Sequence, residues 1–326
     1  FLGLRTLTVI KDAADLVYKN HGIKIDVNHI DYNDHTNPDA VLIDYNDKKV
    51  LDYIGTGRTE GVFQLESPGM RQFMKELKPQ NMEDVIAGIS LYRPGPMDFI
   101  PKYIAGKTNR DSIVYDCPQL EPILAPTYGC IVYQEQVMQI FRTLAGYSYG
   151  RADIVRRAMA KKKAAILENE RKAFIYGEKG QCCGAVANGV PANVANEIFD
   201  EMTSFASYAF NKSHAAAYAV VAYQTAWLKY YYPVEFMAAL MTSVIDNSTK
   251  VSEYILVCRQ MGIQILAPDI NESVGVFSVS DGAIRYGLNA IKSVGKPVIE
   301  ELIREREAGG SFKDLADFCL LYTSPS

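Results

Sequence analysis

Long hydrophobic runs are missing from this sequence: nowhere does it hold the roughly 18–20 consecutive apolar residues of a membrane-crossing helix, so no membrane span is expected. Cysteine is sparse and scattered, at positions 117, 130, 182, 183, 258 and 319. The adjacent Cys182 and Cys183 have no C-x-x-C partner, and zinc-site spacing is absent, so reduced thiols and a cytoplasmic location are expected. Histidine is scarcer, at 21, 29, 35 and 214, with no HxxxH pair on a helix, which argues against a structural metal. Two phosphate-cradling signatures are also lacking, GxxxxGK[ST] and a GxGxxG after a strand. Any bound triphosphate would have to be held by side chains on helices. The opening "FLGLRTLTVIKDAADLVYK" has neither the charged start, the apolar core nor the small-residue cleavage site of a signal peptide. Because it starts on Phe1 already in helical periodicity, the chain is expected to begin inside a domain.

What is present describes a mainly helical protein. The length of 326 residues allows two or three domains, and 48% hydrophobic with 22% charged residues is ordinary for a globular chain. Helical periodicity runs over 4–20, followed by a polar, Asn/Asp-rich stretch to 60. There "IDYND" occurs at 30–34 and 43–47; an EF-hand lacks its glycine and closing glutamate, leaving turn and capping chemistry. Ser67-Pro68 predicts a helix start and Lys78-Pro79 a stop. The "YRPGP" stretch at 92–96 cannot be helix or central strand, and is either a rigid loop holding Arg93 or a plain connector. Further helices are predicted at 130–146, 152–163, 164–176, 191–204 and 213–231, the last apolar nearly all round and so buried, with Ser213 as its N-cap. After Pro268 the pattern alternates and turns at Asp281-Gly282, as a β-hairpin would.

Positive charge is concentrated in "ADIVRRAMAKKK" (152–163) although the whole chain carries a formal charge of -4. On a helix, Arg156 and Lys163 share a face and Arg157 stands over Lys161. Like charges at that spacing cost roughly 0.2–0.5 kcal/mol per pair, and solvated helices relieve this with interleaved acids. Between Arg151 and Lys163 the only acid is Asp153. The alternatives are a polyanion site, for a triphosphate or a nucleic-acid backbone, and an ordinary solvated face. A second candidate is "SYAFNKSHAAAY" (207–218), where Lys212 and His214 crowd a helix N-terminus that favours anions; the alternative is a capping box over packed Tyr208 and Phe210. A third is "LNAIKSVGKPVIEELI" (288–303), which reads as helix, glycine turn and helix, a hairpin whose amides would grip a DNA phosphate.

In order along the chain, "FLGLRTLT" (1–8), "GVFQLES" (61–67), "YRPGPM" (92–97), "PTYGCIVYQEQVMQI" (126–140), "ADIVRRAMAKKK" (152–163), "FNKSHAAAYA" (210–219), "YQTAWLK" (223–229), "YPVEFMAALM" (232–241) and "LAPDIN" (266–271) resemble the bacterial replicative DNA polymerase III alpha subunit family. One departure is Ala160, where the family usually carries glycine. The resemblance implies the fingers region of a C-family polymerase of the beta-nucleotidyltransferase type, mainly α with a small α/β C-terminal module. It implies the end of the palm over 1–20, helical fingers over 21–267, and a mixed module with a helix-hairpin-helix-like segment over 268–318. The closing "LLYTSPS" does not look like the family's continuation, and 319–326 is set aside as a non-native or truncated tail.

The same resemblance implies a DNA-directed DNA polymerase whose two Mg²⁺ ions are held by three palm aspartates. All of these are expected upstream of Phe1, the last immediately before it, so no catalytic or metal-binding residue is assigned here and the isolated chain is expected to be inactive. Arg156 and Arg157 would face the incoming deoxynucleoside triphosphate, with Lys161, Lys162 and Lys163 adding positive field. Tyr208, Lys212 and His214 would form the other wall, with Arg93 beside them, and Lys292, Gly295 and Lys296 would touch primer-template DNA. The sliding clamp and other replisome subunits would be met through other regions. The alternative function is a non-catalytic nucleic-acid-binding module using the same basic helix and hairpin.

Overall fold

A computed structural model describes residues 4–29, 39–206 and 208–320. The first "IDYND", His35 and the last six residues lie outside them. In chain order the helices are α1 (Arg5–His21), α2 (Lys48–Gly55), α3 (Pro68–Leu77), α4 (Met82–Leu91), α5 (Ile100–Thr108), α6 (Glu121–Leu124), α7 (Gln134–Ala145), α8 (Tyr149–Ala160), α9 (Ala164–Tyr176), α10 (Ala192–Ala206), α11 (Lys212–Tyr231), α12 (Pro233–Ser243), α13 (Ser248–Gln260), α14 (Lys296–Gly309) and α15 (Leu315–Leu320). The strands are short: β1 (Ile25–Asp26), β2 (Val41–Leu42), β3 (Ile265–Leu266), β4 (Ser278–Ser280) and β5 (Ala283–Arg285). The mainly helical class with a small mixed module is therefore observed. The chain divides into two compact units, one of Phe1–Tyr53, Arg58–Ser67 and Val221–Ser326, the other of Ile54–Gly57 and Pro68–Val220.

In the first unit, α1 buries Val9, Ile10, Ala13, Ala14 and Val17, an i, i+3, i+4 stripe, and packs along α12. The second "IDYND" does what turn chemistry predicts. The Asp44 carboxylate accepts from the Asn46 amide (2.8 Å), and the Asp47 carboxylate accepts from Lys49 (2.8 Å) at the start of α2. Helix α11 is continuously buried only over 222–229, not over the whole expected 213–231: Ser213, His214 and Ala217 in its first half and Tyr230 and Tyr231 at its end are exposed. The one cation of the buried stretch, Lys229, donates from Nζ to the carbonyls of Arg58 (2.9 Å) and Glu60 (2.7 Å). The hairpin forms as read: β4 and β5 pair antiparallel around Asp281 (φ 49°) and Gly282 (φ 75°), the two left-handed residues of a tight turn. A parallel partner, β3, adds a third strand that residue patterning does not announce, because two residues carry no period.

The second unit is built on α7, α8, α9 and α10. Val137, Ile140, Phe141 and Leu144 of α7 meet Ala152, Val155 and Met159 of α8, Phe174 of α9 and Phe199 of α10. Phe141 lies 5.2 Å from the Phe174 ring and 6.0 Å from that of Phe199, both edge-on. The expected helix over 130–146 starts only at Gln134. Tyr133 bridges Phe210 instead, the Gln134 amide donates to the Phe210 carbonyl (2.9 Å), and the Gln136 side chain accepts from Val132 and Tyr133. That bridge fixes the segment preceding α11.

Candidate functional site

Helix α8 starts on Ser148, whose hydroxyl accepts from the Arg151 amide, and buries Ala152, Val155, Ala158 and Met159. The opposite side carries the arginines. Arg156 donates through Nε (3.1 Å) and Nη2 (2.7 Å) to one oxygen of Asp153, while Arg157 Nη2 lies 2.5 Å from the other. The hydrogen bond from Arg156, foremost among the favourable contacts, holds the Asp153 carboxyl below its usual range against a smaller effect of burial. Arg151 points elsewhere, to Glu170 and Glu178.

The basic stretch is not one helix, which corrects the expectation of a single face shared by Arg156 and Lys163. α8 stops at Ala160; the Lys162 amide returns to Met159 (2.9 Å) and the Lys163 amide to Ala158 (3.1 Å), with Lys162 left-handed at φ 50°. This is a Schellman closure without its usual glycine. Lys163 then precedes α9. The physical reason is that closure: the Lys162 and Lys163 amides take up the carbonyls of Met159 and Ala158 and end the helix before Lys163 can join the Arg156 face. Lys161, Lys162 and Lys163 are exposed, and among the described residues none has an ion-pair partner.

The other predicted cluster forms around the start of α11. That helix is capped by Asn211, not Ser213: the Asn211 Oδ1 accepts from the His214 amide (2.9 Å), one residue pair earlier than the expected cap. The Lys212 amide donates to both oxygens of Glu135 (3.1 and 3.2 Å), and Lys212 Nζ pairs with Glu83 (2.9 Å) while lying over the Tyr133 ring. His214 is exposed and sits against Tyr218 (4.2 Å between rings) and Phe210 (5.4 Å). Arg93 stacks on Phe210, its guanidinium carbon 4.3 Å from the ring centre, and its Nη1 is buried with no hydrogen-bond partner among the described residues. Gly95 (φ 99°) lies against Tyr208; a Cβ there would stand 2.3 Å from that ring. The structure thus brings Arg93, Tyr208, Lys212 and His214 together. No hydrogen bond or ion pair joins them to Arg156 or Arg157 among the described residues.

Glu83, Glu135, Phe210 and Tyr218 were not among the expected site residues. The long sequence separation of Glu83 and Glu135 from Lys212 hides them. Asp153 was legible in principle, since it precedes the two arginines by three and four residues.

In the first unit, Lys292 is exposed at the rim of a shallow cavity of ≈ 540 Å³ lined also by Ser248, Thr249, Ser252 and Tyr286. Gly295 caps α14, and Lys296 Nζ lies 3.8 Å from Asp246. The first arm of the expected hairpin is only a 3₁₀ turn, Leu288–Ala290. It is pinned by amides of Leu288 and Asn289 to the carbonyls of Val274 and Gly275, and Gly287 approaches the Val276 backbone where a Cβ would meet it at 2.5 Å. The second arm, α14, buries Ile299 and Leu302 against Leu288. Among the described residues, no three His, Cys, Asp or Glu side chains are grouped to hold a metal ion, so the carboxylates present do not fit a Mg²⁺ pair.

The family model described as "Bacterial DNA polymerase III alpha subunit finger domain" matches residues 6–182, and the chain belongs to that family. A helix-hairpin-helix motif model matches 262–324. The chain is 45% identical over 98% of its length to the DNA polymerase III subunit alpha of Borreliella burgdorferi, covering 26% of that protein. It is also 45% identical over 98% of its length to that of Thermus aquaticus, covering 25%. With that of Bacillus subtilis the identity is 43% over the whole chain and 27% of the relative. The chain spans about a quarter of the length of these relatives. Among the described residues no helix is long and apolar enough to cross a membrane.

Proposed function

We propose that this chain is the nucleotide-handling fingers part of a DNA-directed DNA polymerase. It holds the incoming deoxynucleoside triphosphate while primer-template DNA lies against the helix-hairpin-helix module. The observation that carries the proposal is the identity of 45% over 98% of the chain to polymerase III alpha subunits. In this proposal Arg156 and Arg157 give bidentate contacts to phosphate oxygens, and Lys161, Lys162 and Lys163 add point charges. Tyr208, Lys212, His214 and Arg93 line the other wall, and Lys292, Gly295 and Lys296 grip backbone phosphates. Mg²⁺ bound in the whole enzyme would supply positive charge to the phosphates. Its ligands are assigned to carboxylates outside this chain, and the location is the cytoplasm. Clamp and replisome contacts are assigned to other regions of the longer protein.

The test is the double substitution Arg156→Ala, Arg157→Ala in the full-length polymerase. Primer extension should show a nucleotide KM raised by roughly tenfold or more and a lower kcat, since a charged hydrogen bond is worth about 1.5–3 kcal/mol. Wild-type kinetics would remove both residues from the site. The hairpin match favours a second reading, a non-catalytic nucleic-acid-binding module. That reading requires DNA affinity that falls steeply with salt and is indifferent to free triphosphate.

A further inference from the structure

Asp153 is the lone acid among the residues from Arg151 to Lys163, and it sits where one carboxylate reaches both arginines a turn ahead. One oxygen takes Nε and Nη2 of Arg156, and the other takes Nη2 of Arg157. The Arg157 arm lies in solvent and adds little stability, and the half-buried Arg156 arm spans only three residues of one helix, so folding alone does not require one carboxylate to hold both. As a charge, Asp153 works against binding any polyanion. Its geometry does the reverse. A guanidinium has five N–H donors; Asp153 engages two of Arg156 and one of Arg157, leaving three and four free on the edges turned away from it. Arg157 is two-thirds exposed and would otherwise sample many rotamers.

We propose, on the reading that α8 contacts the triphosphate, that Asp153 is a positioning residue for nucleotide binding: it fixes both guanidiniums before the nucleotide arrives. The restraint comes from a carboxylate of the same helix, so the ordering cost is met at folding and not at binding. Each side chain ordered in advance is worth roughly two- to tenfold in affinity. Charge alone and positioning therefore predict opposite signs for the loss of the carboxylate.

The experiment measures nucleotide KM and kcat by primer extension with the full-length polymerase carrying Asp153→Asn, Asp153→Glu, Arg156→Ala with Arg157→Ala, and the triple combination. Thermal unfolding is followed for each. Asp153→Asn should raise KM about tenfold while the unfolding midpoint stays within about 2 °C. Asp153→Glu, which keeps a carboxylate one methylene farther out, should recover KM to within about threefold of wild type. In the background lacking both arginines, Asp153→Asn should change KM by less than about twofold, because nothing remains to be positioned. A lower KM for Asp153→Asn, an equal rise with and without the arginines, a Glu variant as poor as Asn, or a fall in midpoint that accompanies the loss would each overturn the proposal. Wild-type kinetics in the arginine double variant is a separate outcome: it removes the nucleotide assignment of α8, and the positioning role falls with it.

Discussion

At Lys229 an ammonium is sealed inside the first unit, 2% exposed, with two carbonyls within 3 Å. At Lys161, Lys162 and Lys163, in the second unit, three exposed ammoniums have no ion-pair partner among the described residues. The same group serves opposite ends. A buried cation must be met by acceptors of its own chain or it costs several kcal/mol, so each of its bonds is spent on the fold. An exposed, unpaired one contributes almost nothing to the fold and keeps its donors for something else. Net charge cannot separate these cases; only the acceptors around each nitrogen do.

The sharpest way to break the comparison is Lys229→Ala. It removes the Lys229 donor from the Glu60 carbonyl and the ammonium 3.6 Å from the Glu60 carboxylate, while the Arg58 carbonyl keeps the Tyr53 hydroxyl (2.9 Å), and should cost about 3 kcal/mol in urea unfolding of the chain. A cost under 1 kcal/mol would place Lys229 with the surface cations. Next comes Gly95→Ala, which forces a left-handed position at φ 99° and drives a Cβ to 2.3 Å from the Tyr208 ring. About 2 kcal/mol should be lost in thermal unfolding, and nucleotide KM should rise because Tyr208 is displaced. The smallest effect has the other sign. Lys162→Gly should stabilise by about 0.5–1 kcal/mol, since glycine fills a left-handed C′ position without a Cβ penalty, while one exposed charge disappears. The same unfolding curves check it: a loss of stability would mean that Lys162 makes contacts comparable to those of Lys229.

Much of the fold was legible in residue pattern. The stripe of α1, the start of α3 at Pro68 and the turn at Asp281-Gly282 all follow from local rules that the structure obeys, whereas the burial expected of all of α11 holds only over 222–229. The family, too, was legible in the order of its motifs. What was not legible depends on distant partners. α7 starts late because Tyr133 pairs with Phe210, 77 residues away; β3 exists because β5 lies beside it. The basic segment breaks at Lys161 without glycine or proline to mark it, because hydrogen bonds to Ala158 and Met159 close the turn. Of the candidate site, the residue types and their segments could be read. The acids that answer them, Glu83 and Glu135, could not, because nothing local ties them to Lys212. The cap at Asn211 instead of Ser213 is a choice between two suitable residues that the Phe210 bridge decides.

The Glu135 carboxylate on the Lys212 amide has a consequence in the language of competition. Both groups belong to one compact unit, so the carboxylate acts at an effective concentration on the order of millimolar or higher, whatever the surrounding solution holds. Chloride, acetate or any other small monoanion arriving at this helix end meets an equally charged rival that never diffuses away. Ordinary salts are thereby turned aside, and only an anion bearing several charges, or one gripped at other points as well, has the means to take its place.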